Sequence, residues 1–324
     1  MTIDLQRTLL TAWTDLGRHP ARVRRFRTQP VPREILLDAY AALRAGDDAP
    51  CLLLRAEGLP DSLFEVGGMR LAVDRDDDGP FLVLSLEDAG RADLFTTVCA
   101  DALIASGDDQ TTALARFLER LDAWRRFLRE RHTGLSREET VGLIGELLVL
   151  ERLVGTDPAL LDSWKAPDDG LHDFERAGHG LEVKTGIGAS TVIHVSSLDQ
   201  LDSAGMGRLD LVHVRLVEDL SGRTLGDILA ALDAMFGDEG RRRQFANGLL
   251  RRGLMPDDEI ARSRPMVRSR SLEAYLVGET FPRLTRNLVP MGITEATYGL
   301  DLRAITAHAV DIDATFALFA ERAD

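Results

Sequence analysis

The sequence predicts a mixed fold, α+β at its N-terminal end and α/β beyond, and three observations carry that reading. Apolar runs at Cys51–Leu54, Met69–Val73 and Phe81–Leu86 have strand length, with turn-forming residues between them. From Ser136 to Val217 the pattern runs helix, strand, strand, strand, helix, strand. The remaining third alternates helical and strand-like segments, with no repeat and no low-complexity tract.

Taken in order, residues 1–35 read as helical and then as a basic stretch broken by Pro20, Pro30 and Pro32. From Cys51 to about Ile104 the pattern is strand-like, and the acidic turn Asp74–Pro80 joins two of the strands as a hairpin. This predicts an N-terminal β-rich unit over 1–105. Leu114, Phe117, Leu118, Leu121, Trp124 and Leu128 recur at helical spacing, so 106–135 is expected to be a connecting segment built on one amphipathic helix.

Ser136-Arg137-Glu138-Glu139 is a capping box that starts the next helix. From Val141 to Val154 apolar residues cover most of the helix circumference, which predicts burial on several sides. Glu146 falls between Leu150 and Leu153 on that apolar arc and therefore needs a cation, a donor or a cleft. Strands are expected at Leu171–Glu175, Leu181–Lys184 and Thr191–Ser196, a helix from Ser196 or Ser197, and a strand over Leu211–Val217. Side chains alternate along a strand, so Glu182 and Lys184 share one face while Leu181 and Val183 take the other. These elements define an expected core over 136–220. An α/β extension follows over 221–324, with helices near 225–236 and 239–252 and strands near 271–277 and 297–303.

Composition narrows the function classes. No apolar run approaches the roughly 20 residues of a membrane span. The N-terminus lacks a secretory pattern and there are only two cysteines, so a reducing cytoplasm is expected. No Gly-rich phosphate loop is present, and the histidines lack zinc-site spacing. The formal net charge of −14 argues against indiscriminate coating of nucleic acid. Between Arg241 and Arg286, however, eleven arginines face five acids, and Arg18–Arg33 holds six arginines and no acid. Arg241, Arg242, Arg243, Arg251, Arg252, Arg262, Arg264, Arg268 and Arg270 are the expected DNA-phosphate contacts.

The positive charge is written almost wholly as arginine: 37 arginines stand against two lysines. One of those lysines, Lys184, follows Glu182 by two residues and Asp173 by eleven. An ammonium is a compact point charge, which a guanidinium does not replace. Asp173 and Glu182, with Glu146 nearby, make a hard-oxygen set suited to Mg²⁺, and Lys184 would face the attacking water or the phosphorus. Acids are 53 of 324 residues, so an acid two before a lysine has a one-in-six chance of occurring. A surface hairpin with solvent-facing Glu182 and Lys184 fits the same residues.

The element order, with Glu on the first helix, Asp on the first strand and Glu-x-Lys on the second, resembles the PD-(D/E)XK nuclease superfamily. The runs Gly142–Leu153, Trp164, His172-Asp173-Phe174-Glu175, Glu182-Val183-Lys184-Thr185, Ser196–Leu201 and Phe281-Pro282-Arg283 resemble a bacterial branch described as PD-(D/E)XK motif proteins, found among restriction-like and phage-defence genes. The resemblance implies a restriction-endonuclease-like core, a mixed sheet flanked by helices, and Mg²⁺-dependent hydrolysis of DNA phosphodiesters, with Mn²⁺ as a substitute. It implies Asp173 and Glu182 as metal ligands, Lys184 as the catalytic lysine, Glu146 as accessory acid and Gln200 as a supporting polar group. His172 stands where the family's name-giving proline would be. Partners implied are DNA and proteins of a defence operon, an ATPase, helicase or methyltransferase, and homo-oligomerisation stays open. A catalytically silent scaffold that binds DNA or proteins is the alternative.

Overall fold

The computed structural model describes residues 4–18, 25–32, 34–59, 64–130, 134–165 and 170–321. The chain divides into two units, Met1–His132 and Thr133–Asp324. The first opens with α1 (Leu5–Gly17), whose buried stripe is Leu5, Leu9, Ala12 and Trp13. Six strands follow: β1 (Phe26–Pro30), β2 (Asp38–Arg44), β3 (Pro50–Arg55), β4 (Phe64–Val66), β5 (Met69–Asp76) and β6 (Gly79–Leu86). They form one antiparallel sheet in the order β1-β2-β3-β6-β5-β4. The expected hairpin is β5–β6. β1 lies in the Pro-broken stretch where the sequence showed no strand; as an edge strand it ends on Pro30 without losing a ladder bond.

The strand pattern expected up to Ile104 stops at Leu86, and Ala92–Ala105 is helix α2. It is apolar on nearly every side (Phe95, Val98, Cys99, Ala102 and Leu103 are buried), so no amphipathic period marked it. Helix α3 (Ala113–Glu130) is where periodicity put it. Rather than serving as a connector it joins this first unit: Arg120 Nε and Trp124 Nε1 both donate to Asp101 Oδ2 of α2, at 2.6 and 2.7 Å. Cys51 and Cys99 are free and buried. In the first basic cluster Arg18, Arg25 and Arg27 pair with Asp15, Asp74 and Asp48, while Arg22, Arg24 and Arg33 lie outside the described residues.

The second unit holds, in chain order, α4 (Arg137–Thr156), β7 (Phe174–Arg176), β8 (His179–Ile187), β9 (Val192–Val195), β10 (Arg208–Arg223), α5 (Leu225–Met235), α6 (Glu239–Arg251) and α7 (Glu259–Ser263). There follow β11 (Val267–Leu276), β12 (Tyr298–Asp301), β13 (Ala309–Val310) and α8 (Ile312–Ala320). Both halves of the Ser136/Glu139 capping box are made. The main sheet runs β13-β11-β10-β8-β7; β8 and β10 are parallel and the other pairs antiparallel. Helices α4, α5 and α6 bury their apolar sides with Leu181, Val183, Val212 and Val214 in one core. A second core gathers Leu211 and Tyr275 of the main sheet with Ile193, Val195 and Leu300 of the separate β9–β12 pair. The stretches 136–220 and 221–324 are thus one unit, since β11 pairs along β10. No described helix is long and apolar enough to cross a membrane.

Two local expectations give way. The strand expected from Leu171 starts only at Phe174, because the Glu175 carboxylate accepts from the Leu171 and His172 amides and closes a turn there. The helix expected from Ser196 is absent: 196–207 is a string of turns. Gln200 Oε1 accepts from the Ser196 amide, Ser197 Oγ from Asp199 and Asp202 Oδ1 from Ala204, local side chain-to-amide bonds that hold the segment as turns.

Candidate active site

The site forms where β7 ends early. β7 pairs with β8 only from Phe174↔Leu181 to Arg176↔His179, so beyond Leu181 that edge of β8 has no ladder partner among the described residues. The freed amide of Val183 donates to Asp173 Oδ2 at 2.8 Å. Asp173 is held from its backbone too, since its carbonyl accepts from Lys165 at 2.9 Å. Glu182 and Lys184 stand in register with Leu211 and His213, opposite the core face of Leu181 and Val183. Lys184 Nζ lies 2.9 Å from Glu182 Oε1 and donates to Gln200 Oε1 at 2.8 Å. Gln200 also takes the Ser196 amide, so the turn that replaced a helix is what aims it.

Glu146 reaches the same place from α4. Trp164 Nε1 donates to its Oε2 at 3.2 Å, and Arg252 Nη1 to its Oε1 at 3.2 Å. The same Nη1 donates to Asp173 Oδ1 at 3.2 Å. A cleft of about 330 Å³ is lined by Lys165, His172, Asp173, Glu182, Gln200 and Arg252 among others. Burial, and then the charge of Asp173, push the Glu182 carboxyl up to about 8, against the pull of Lys184. Burial first and Asp173 also raise Glu146, while Arg252, Trp164 and Lys184 hold it back. Three carboxyl groups crowd two cations, and burial with their mutual repulsion raises the proton affinity of Glu146 and Glu182.

A family model described as "Putative PD-(D/E)XK family member, (DUF4420)" matches residues 9–303. The chain belongs to this family. No curated protein and no solved structure matches it. The mixed sheet flanked by helices accords with a PD-(D/E)XK fold, and the match also takes in most of the first unit, which contributes none of the residues above.

The donor set of this cluster suits a divalent cation. Asp173 and Glu182 are hard-oxygen groups on one cleft, and their mutual repulsion is the term a cation would remove. They are two, not a cage: among the described residues no three His, Cys, Asp or Glu side chains close on a metal. Two carboxylates with water and phosphate completing the shell is the usual Mg²⁺ arrangement. Glu146, Asp173, Glu182, Lys184 and Gln200 are therefore brought together. Arg252 is the correction: expected to meet DNA at the surface, its side chain is 11% exposed and sits among the carboxylates. Its destination was half legible, because a carboxylate on the apolar arc of α4 called for a cation. Trp164, the donor to Glu146, meets the same need and stands among the residues that carry the family resemblance. Of the other arginines, Arg241 pairs with Asp238 and Arg268 with Asp219, Arg242 donates to the Phe236 carbonyl, and Arg264 and Arg270 are exposed.

Proposed function

We propose that this protein hydrolyses DNA phosphodiester bonds with a divalent cation, Mg²⁺ or Mn²⁺, held by Asp173 and Glu182. The observation that carries the reading is the convergence of Asp173, Glu182 and Lys184 beside one cleft, with the ammonium held between Glu182 and Gln200. Bound there, the cation would supply Lewis-acid polarisation of a phosphoryl oxygen and a more acidic water. Lys184 offsets the negative charge that grows on the phosphoryl oxygens and positions the attacking water. Gln200 fixes the direction of that ammonium. Glu146, with its raised affinity for a proton, is placed to take up or return one at the edge of the site. Arg264, Arg268 and Arg270, exposed on or just before β11, supply phosphate contacts; β11 belongs, through β10, to the sheet that carries Lys184. The setting of this activity, a restriction-like or phage-defence system with ATPase, helicase or methyltransferase partners in the cytoplasm, belongs to the same proposal and rests on family resemblance.

One observation favours a second reading, a non-cleaving DNA- or protein-binding scaffold: Arg252 bridges Glu146 and Asp173 where a metal ligand is wanted. Plasmid incubated with pure protein and Mg²⁺ or Mn²⁺, with and without chelator, separates the two. The nuclease reading expects nicking that chelator and Asp173→Asn both abolish. Intact plasmid beside retained DNA binding would select the scaffold.

A further inference from the structure

We propose that Arg252 is an internal cation that trades places with the metal ion: it keeps Glu146 and Asp173 in position beforehand and gives up Asp173 Oδ1 when the ion enters. This rests on the reading of Asp173 and Glu182 as metal ligands. The two oxygens of Asp173 are held very differently. Oδ2 takes the Val183 amide at 2.8 Å, a bond within the backbone frame. Among the described residues Oδ1 has only Arg252 Nη1, at 3.2 Å, long for a charge-assisted bond. It is the oxygen a cation can take at least cost.

Arg252 has somewhere to stay when it lets go. Its Nη1 and Nη2 both lie 3.2 Å from the Glu146 carboxylate, Nη2 donates to the Lys165 carbonyl, and the guanidinium lies over the Trp164 ring at 5.5 Å. Trp164 in turn packs so closely on α6 that a Cβ on Gly248 would stand 2.8 Å from the indole. The guanidinium thus sits on a fixed ring and swings between a carboxylate it grips with two nitrogens and one it grips with a single nitrogen. Its Nε is buried with no hydrogen-bond partner among the described residues, so the present pose leaves one donor unspent. A divalent cation and a guanidinium repel one another across a shared oxygen, and the singly held contact is the one that yields. Arg252 is therefore a positioning residue, setting both metal affinity and the order in which the site assembles.

The test needs neither DNA nor turnover. Mn²⁺ binding to the full chain is followed by electron paramagnetic resonance. The indole is followed by ¹⁹F NMR on 5-fluorotryptophan-labelled protein, which has three tryptophans and whose Trp164 signal is assigned with Trp164→Phe. Mg²⁺ should shift the Trp164 signal saturably, in step with displacement of Mn²⁺. Arg252→Gln should bind Mn²⁺ about tenfold tighter and lose most of the metal-dependent shift. Unchanged or weaker Mn²⁺ binding by a folded Gln variant, or an undiminished Trp164 shift, overturns the proposal. Should that variant fail to fold, Arg252→Lys carries the test. A lone ammonium cannot span both carboxylates, so Mn²⁺ should bind about threefold tighter, and binding like wild type overturns the idea. Absence of Mn²⁺ binding by folded wild type would instead remove the metal reading beneath it.

Discussion

Gly145 and Thr185 meet where α4 lies against β8, and a Cβ on Gly145 would stand 1.8 Å from Thr185 Oγ1. The close approach sets the depth at which the next residue, Glu146, enters the site. Gly145→Ala should cost about 1–3 kcal/mol by overpacking. It should also lower any cleavage rate by roughly a hundredfold, the effect of a misplacement of about 1 Å. Thr185→Ala in the same chain should recover part of the stability, because the nearest atom is gone. Urea denaturation of wild type and the two variants decides it, and a Gly145→Ala protein as stable as wild type would mean that helix and strand part easily.

Lys184 Nζ makes two contacts, to Glu182 and Gln200, in a pocket that leaves its side chain 14% exposed. Lys184→Ala should abolish Mg²⁺-dependent nicking while the thermal melt stays near that of wild type. Lys184→Arg should fail almost as completely, since a planar guanidinium cannot occupy the place of a single ammonium between those oxygens. Near-normal nicking by the Arg variant would show that charge alone is needed, and the inference from a lysine kept amid 37 arginines would be wrong.

Acid stability should turn on Asp210, whose side chain is fully buried on β10. Burial alone would raise its carboxyl, but hydrogen bonds from His179 Nε2 and Arg208 Nε, both 2.6 Å from Oδ2, and the charge of Arg208 outweigh it and hold it below the usual range. A carboxyl lowered in the folded state stabilises above its unfolded pKa of about 4, and that stabilisation disappears as pH falls through the lowered value. Asp210→Asn should be about 3 kcal/mol or more less stable at pH 7, because it strands Arg208 and His179. The gap should narrow below about pH 4, where wild type loses the same interaction. Denaturant midpoints from pH 3 to 7 give the answer, and two curves that stay parallel through the acid range would rule the link out.

What can be read from the bare chain is whatever short-range physics governs. The Ser136/Glu139 cap, the helical spacing of Leu114 to Leu128 and the alternation of Leu181, Glu182, Val183 and Lys184 each depend on residues a few positions apart, and each stands in the structure as spaced. The rarity of lysine singles out Lys184 in the bare sequence. Where short-range signals compete, the reading fails: Ser196–Leu201 has helix-start residues, yet its side chains bind local amides as turns, and α2 is too uniformly apolar to declare its period. The apolar arc around Glu146 called for a partner, but which residues answer it, Arg252 and Trp164, is decided by tertiary structure. Arg252 lies 106 residues from Glu146 and 79 from Asp173 along the chain, and nothing local separates it from the other arginines of its cluster. Only the packing of α6 against Trp164 and the early end of β7 decide that this one guanidinium leaves solvent. The driving term is an uncompensated group of buried carboxylates, and that group exists only once distant segments have come together.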